Sequence, residues 1–171
     1  STTSRRRGAS GLIKTSLPGG PHDGTMTDNP NPATAAYRRA DAPLTGLVAD
    51  LPPAAWDAPS PCDSWTARDV LAHLIDTQRD LLGDHGADLG PRPDLSFDPA
   101  AAWSAHRDAA LAALDDGELV ARGFDGHFGP TTAGETVERF HVFDMVVHRW
   151  DIARSAGIDA RFSDDELDRL E

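Results

Sequence analysis

Apolar residues recur along this chain at spacings of three and four, in blocks separated by stretches rich in proline and glycine. Tyr37, Ala40, Leu44, Leu47, Val48 and Leu51 predict a first helix from about Pro32 to Leu51, with Pro43 as its kink point. Pro52, Pro53, Pro59 and Pro61 keep the following connection extended. Val70, Leu71, Leu74, Ile75, Leu81 and Leu82 predict a second helix whose N-cap is Ser64 or Thr66; Thr66-Ala67-Arg68-Asp69 reads as a capping box with Asp in place of the usual Glu. Asp98 caps a third helix through Trp103, Ala110, Leu111 and Leu114. Strand signals are almost absent, and residues 117–134 read as irregular. A fourth helix runs from about Thr136 to Ala156 and ends with Gly157 at C′. Helices of this length joined by short loops predict an all-α fold, an antiparallel four-helix bundle, which builds ligand sites from side chains projecting inward from facing helices.

The last of these helices departs from a simple amphipathic pattern. Val137, Phe140, Phe143, Met145, Val146, Val147, Trp150 and Ile152 leave few of its surfaces to face water, yet it carries His141, Asp144, His148, Asp151 and Ser155 at offsets of three, four, three and four. A polar line on an apolar helix is expected to face inward. A carboxylate and an imidazole four residues apart lie one above the other, so Asp144 and His148 are close enough to share one ion. With His73 inside the apolar pattern of the second helix, the set is two imidazoles and one carboxylate. It leaves open positions on a bound ion, as a catalytic zinc site does. The same set fits the facial triad of non-haem iron, so residue types alone do not fix the metal. His141 or Asp151 then orients a liganding imidazole or substitutes for a ligand. The competing reading is purely structural: buried charge needs partners, and Arg68, Arg149 or Arg154 would supply them in a salt-bridge network.

Composition narrows the chemistry. The chain has 171 residues, a formal net charge of −12 and a single cysteine, Cys62. One thiol excludes a disulfide framework and any multi-thiolate metal site, so a metal here takes nitrogen and oxygen ligands. Such an acidic chain is a poor partner for nucleic acid or an anionic membrane. No stretch approaches the ~20 apolar residues of a membrane span, and the expectation is a cytoplasmic protein acting as a monomer or homodimer. Residues 1–25 are different material, with Arg5, Arg6, Arg7, the only lysine Lys14, and Pro18-Gly19-Gly20; they read as a disordered or non-native extension. Residues 26–160 then form one domain. Residues 161–171, opening with the cap-like Ser163-Asp164-Asp165-Glu166, read as the start of a truncated helix or extension.

Other candidates carry less. Cys62, after proline and before a helix start, reads as a small packed residue rather than a reactive thiol. Trp65 and Trp150 read as core or loop anchors. His22, His85, His106 and His127 fall in loops or on a polar helix face without a spacing partner. Glycine-rich phosphate loops, a serine nucleophile elbow and basic–aromatic patches are missing from the sequence.

Two blocks, Ser60-Pro-Cys-Asp-Ser-Trp-Thr-Ala-Arg-Asp-Val-Leu-Ala-His-Leu74 and His141-Val-Phe-Asp-Met-Val-Val-His-Arg-Trp-Asp-Ile-Ala153, resemble the mycothiol-dependent maleylpyruvate isomerase-like, metal-binding branch of the DinB-like superfamily. The resemblance covers roughly Tyr37 to Gly157. It implies an antiparallel four-helix bundle with a divalent metal, usually zinc, held by His73, Asp144 and His148. Asp144 stands where the isomerase has the longer glutamate. The resemblance also implies thiol chemistry, in which a low-molecular-weight thiol such as mycothiol, held as thiolate, attacks a small-molecule electrophile for isomerisation or S-transfer. In that picture Asp151 or His141 orients a ligand or moves a proton. Two other functions fit the same residues: a metal-dependent hydrolase activating water with Asp151 or His141 as base, and a non-catalytic bundle whose polar stripe is a structural or ligand-sensing network.

Overall fold

The structure, a computed structural model, describes residues 31–170; residues 1–25, read above as an extension, and His22 lie outside the described residues. Helix α1 (Pro32–Asp50) starts where Asn31 accepts from the Thr34 N–H and Pro32 supplies a helix-ready φ at the first turn. It continues through Pro43, burying Tyr37, Ala40, Leu44 and Val48. A short 3-10 turn (Pro53–Asp57) leads into a loop closed by the backbone pairing of Pro59 with Thr66.

Helix α2 (Ala67–Asp84) is capped by Thr66, not Ser64: the Thr66 side chain accepts from the Asp69 N–H and the Asp69 carboxylate accepts from the Thr66 N–H. It buries Val70, Leu71, Leu74, Ile75, Gln78 and Leu82. Helix α3 (Pro99–Leu114) is capped by Asp98 and buries Trp103, His106, Ala110 and Leu114. The indole N–H of Trp103 donates to Asp41 on α1, at 2.9 Å.

The stretch expected to be irregular is built. A one-turn helix α4 (Gly117–Val120) precedes an antiparallel hairpin of β1 (Gly123–Gly126) and β2 (Gly129–Thr132), with Gly123 opposite Thr132 and Gly126 opposite Gly129. Gly129 takes a φ of 108°, a turn conformation that L side chains rarely adopt. The strands escape the sequence pattern because they are four residues each and carry glycines at three of their ends, with Pro130 in place of a ladder donor.

The final long helical segment starts three residues before the expected Thr136. Thr132 and Glu135 form a capping box that opens α5 (Ala133–Thr136). A π turn over Val137–His141 follows, closed by the Val142 N–H on the Val137 carbonyl, and α6 (Val142–Ser155) completes the segment. Gly157, at φ 70°, ends it with its N–H on the Arg154 carbonyl, while the Ile158 N–H reaches the Ala153 carbonyl. Helix α7 (Asp164–Leu170) is docked by the buried Arg149, whose two guanidinium nitrogens donate to the Glu166 carboxylate at 2.8 and 3.0 Å.

Helix α1 packs against α3 and α6, and α2 packs against the same two helices, so one apolar core lies between the four long elements. The fold of the described residues is thus mostly helical with one small two-stranded sheet. No helix among the described residues is long and apolar enough to cross a membrane. The final helical segment is less enclosed than its apolar sequence predicts: Phe140 in the π turn and Phe143 on α6 are 38% and 44% exposed. Its partners cover the stripe side, where His141 and Asp151 are buried and Asp144 and His148 are half-buried.

Candidate metal centre

The packing of α2 on α6 brings His73 against Asp144 and His148, and one ligand atom from each lies within 4.8 Å of the other two. His73 Nε2 and Asp144 Oδ2 are 3.9 Å apart. The rings of His73 and His148 meet edge to face, with centroids 5.1 Å apart. A tetrahedral ion with nitrogen and oxygen ligands at about 2.0–2.1 Å separates its donor atoms by about 3.3 Å, so the three atoms stand within a small side-chain adjustment of a coordination triangle.

The orientation of His148 has an identifiable cause. Its Nδ1 is 2.8 Å from Oδ2 of Asp151, one turn further along α6. A carboxylate there accepts the Nδ1 proton and leaves Nε2 as the unprotonated nitrogen, the arrangement that orients imidazoles toward metal ions. The same Asp151 oxygen accepts from Cys62 Sγ at 3.4 Å. Cys62, His148 and Asp151 therefore form a second cluster of donor atoms within 4.8 Å, sharing His148 with the first.

Protonation states favour donors over cations. The His73 pKa is lowered, first by burial and then by the neighbouring His148, against the opposing pull of Asp144 and Asp76. Burial also lowers the His141 pKa, with Asp144 pulling the other way. His141 belongs to neither donor cluster. It is buried in the π turn, and its Nδ1 has no hydrogen-bond partner among the described residues. π turns are enriched at functional sites, where their extra residue redirects a side chain. Burial and then Asp151 push the Cys62 thiol pKa up, which marks it as a hydrogen-bonded thiol rather than a standing nucleophile.

The arginines that a structural network requires are engaged elsewhere. Arg68 pairs with Asp57 and the Leu95 carbonyl, Arg149 with Glu166, and Arg154 lies over the Trp150 ring. Ser155 closes on the Asp151 carbonyl and takes no part in the clusters.

Two contacts were not visible as site residues in the sequence. Trp65, 36% exposed, sets its ring 5.1 Å from that of His73 and 6.5 Å from that of His148, so it lines the site while Trp150 does not. Its loop is shaped by Ser64 at φ 66°, by the Trp65 N–H on the Cys62 carbonyl, and by the Ser60 N–H on the Trp65 carbonyl. The same loop presents Cys62 to Asp151, 89 residues away in the chain.

Of the remaining histidines, one, His106, differs from the reading as loop or polar-face residues, while His85 lies in the turn after α2. His106 is wholly buried on α3, its Nε2 2.9 Å from Gln78 Oε1, which also accepts from the Tyr37 hydroxyl. His85 caps α2, with Nδ1 on the Leu81 carbonyl. His127 lies exposed at the hairpin turn.

Comparison with known proteins agrees with this region of the chain. The family model of the mycothiol maleylpyruvate isomerase N-terminal domain matches residues 37–153, which takes in most of α1, all of α2 and α3, and both blocks that carry the donor residues. No curated protein and no solved structure matches the chain. With more than half of its length covered by that one model, the chain belongs to the mycothiol maleylpyruvate isomerase N-terminal domain family, a family of DinB-like domains.

Proposed function

We propose that this protein is a metal-dependent enzyme of thiol chemistry, a mycothiol S-transferase or isomerase, with His73, Asp144 and His148 as its metal ligands and zinc as the first candidate ion. The four long helices are read as the antiparallel bundle of the DinB-like kind, with residues 26–160 as its domain. The observation that carries the reading is the convergence of three donor atoms within 4.8 Å, one of them on an imidazole already oriented by a buried carboxylate. Membership of a family named for mycothiol chemistry supplies the thiol.

His73, Asp144 and His148 would hold the divalent ion, which when bound would lower the pKa of a coordinated thiol and make its sulfur nucleophilic at neutral pH. The protein's own groups divide the remaining work. Asp151 fixes the tautomer and angle of His148; because its Oδ2 already receives both His148 and Cys62, it is better suited to orienting than to taking a substrate proton. His141, kept neutral by burial and with Nδ1 unpartnered, is the better-placed proton acceptor for an incoming thiol. Trp65 shields the histidines on the loop side.

The test is spectroscopic. Protein loaded with cobalt(II) and titrated with mycothiol is expected to develop a thiolate-to-cobalt charge-transfer band, in the parent and in Cys62→Ser alike. A spectrum that mycothiol does not change, together with hydrolysis of activated esters that needs no thiol, would replace this reading with the water-activating hydrolase.

A further inference from the structure

His148 faces two groups of donors, and the metal centre uses only one of them. On its Nδ1 side, Asp151 Oδ2 stands 2.8 Å from the ring nitrogen and 3.4 Å from Cys62 Sγ. Donor atoms of the thiol, the imidazole and the carboxylate all lie within 4.8 Å of one another, the same bound that the His73–Asp144–His148 set meets. A tetrahedral ion bonded to sulfur at about 2.3 Å and to a carboxylate oxygen at about 2.1 Å separates those two atoms by about 3.6 Å. The Cys62–Asp151 pair is close to that spacing already.

The carboxylate gives a separate reason to expect a cation. Asp151 is 5% exposed, and among the described residues its ion-pair partner is His148, with no arginine or lysine beside it. Both of its side-chain hydrogen bonds arrive on Oδ2, and Oδ1 receives none from the described residues. A buried carboxylate with one oxygen unused is short of positive charge, and buried charges persist where they are paired or bound to metal. The Ser60–Thr66 loop brings the thiol to this carboxylate from 89 residues away, and Cys62 is only half-buried, so an ion can reach it from solvent.

One thiolate, one imidazole and one carboxylate make a softer donor set than the two imidazoles and carboxylate of the first centre. An ion entering here sends the thiol proton to solvent and takes the Nδ1 position now occupied by the hydrogen bond to Asp151. A strong bond to sulfur offsets that cost best, which selects a thiophilic ion such as cadmium(II). A neutral imidazole carries one proton on one of its two nitrogens. With Nδ1 on the ion, that proton sits on Nε2, and His148 turns an N–H instead of a lone pair toward His73 and Asp144. Each position therefore excludes the other.

We propose that Cys62, His148 and Asp151 form a second metal site, selective for thiophilic divalent ions, and that filling it withdraws His148 from the His73–Asp144–His148 centre. The competition rests on the metal-centre reading above; the second site stands on its own three donors. A thiophilic ion taken from solution displaces the resident ion and switches the centre off.

The experiment uses the full chain, freed of metal by chelation and titrated with cadmium chloride, with the ultraviolet thiolate-to-cadmium charge-transfer band as the readout. A band that saturates at a single cadmium per chain is expected in the parent and in His73→Ala, and none in Cys62→Ser. Asp151→Ala is expected to need at least about tenfold more cadmium, a decrease no smaller than that from losing an outer carboxylate. Circular dichroism shows that each variant is folded. No band in the parent, a band lost in folded His73→Ala, or parent-like affinity in folded Asp151→Ala overturns the second site, the last because a lone thiol then binds the ion. Zinc-loaded protein tests the exclusion: cadmium is expected to release zinc to a chromophoric indicator as the band appears, with at least about tenfold more cadmium needed in Cys62→Ser. A full band with zinc still bound overturns the exclusion. A parent that takes up no zinc removes the metal-centre reading and the competition with it, while the cadmium band still decides the second site.

Discussion

Asp151 accepts two hydrogen bonds through one oxygen, from His148 Nδ1 at 2.8 Å and from Cys62 Sγ at 3.4 Å, and its residue is only 5% exposed. If its task is to hold His148 with Nε2 toward an ion, removing it leaves all three proposed ligands in place but lets one of them turn. Outer carboxylates of this kind typically contribute about 10–100-fold in metal affinity, or about 1.4–2.7 kcal/mol. The short distance and low exposure place Asp151→Ala toward the upper part of that range. Asp151→Asn keeps an oxygen that can accept from Nδ1–H and loses only the charge, so a smaller decrease is expected. Cys62→Ser removes the weaker of the two contacts and keeps a donor, and affinity is expected to stay near the parent's. The assay is competition for zinc against a chromophoric chelator at fixed pH, with circular dichroism showing that each variant is folded. Parent-like affinity in folded Asp151→Ala, or a larger decrease in Cys62→Ser than in Asp151→Asn, would refute the orienting role.

Three further outcomes follow from the geometry. His106 is wholly buried and its pKa is lowered from 6.5 to about 4, chiefly by burial, so the native state stays neutral where the unfolded chain takes a proton; stability is full above the unfolded value and falls by about 3 kcal/mol as pH drops from 6.5 toward 4. Urea unfolding across that range checks this, and His106→Gln should flatten the dependence, leaving the smaller effects of His73 and His141 and, at the acidic end, of Glu166 in the same direction. Glu166→Ala leaves the buried Arg149 guanidinium without its carboxylate and is expected to cost about 3 kcal/mol or release α7, read by urea unfolding and by hydrogen exchange at residues 163–168. Cys62→Ser should leave metal content per chain unchanged, since the proposed ligands are nitrogen and oxygen donors; loss of the ion would move the site to the Cys62–His148–Asp151 cluster.

The parts of this molecule legible in the sequence are those with local causes. The Thr66 capping box, the Asp98 cap, the Gly157 terminus and the three-and-four spacing of buried residues on α1 and α2 each follow from a few neighbouring residues. The stripe on α6 is likewise local, which is why His73, Asp144 and His148 could be named together once α2 and α6 were expected to face. What escaped has other origins. The hairpin strands are too short and glycine-bounded to alternate, and the Thr132–Glu135 capping box that follows straddles the end of the stretch read as irregular, although its spacing is there in the sequence. His106 was misassigned because α3 is rich in alanine, so its apolar face shows little contrast; its spacing from Trp103 and Ala110 would have placed it inside. Cys62 and Trp65 reach the site through a loop whose path depends on Ser64 at positive φ and on a backbone pairing at its base, neither of which has a sequence period.

The most direct test of the account is metal content per folded chain, measured by elemental analysis on untagged protein after incubation with zinc and gel filtration, for the parent beside His73→Ala and His148→Ala. The account predicts about one ion per chain in the parent and none retained by either folded variant, because loss of one donor leaves only two of the three that converge within 4.8 Å. A parent that retains no ion, or variants that retain it as the parent does, would contradict the assignment of the His73–Asp144–His148 cluster as the metal centre.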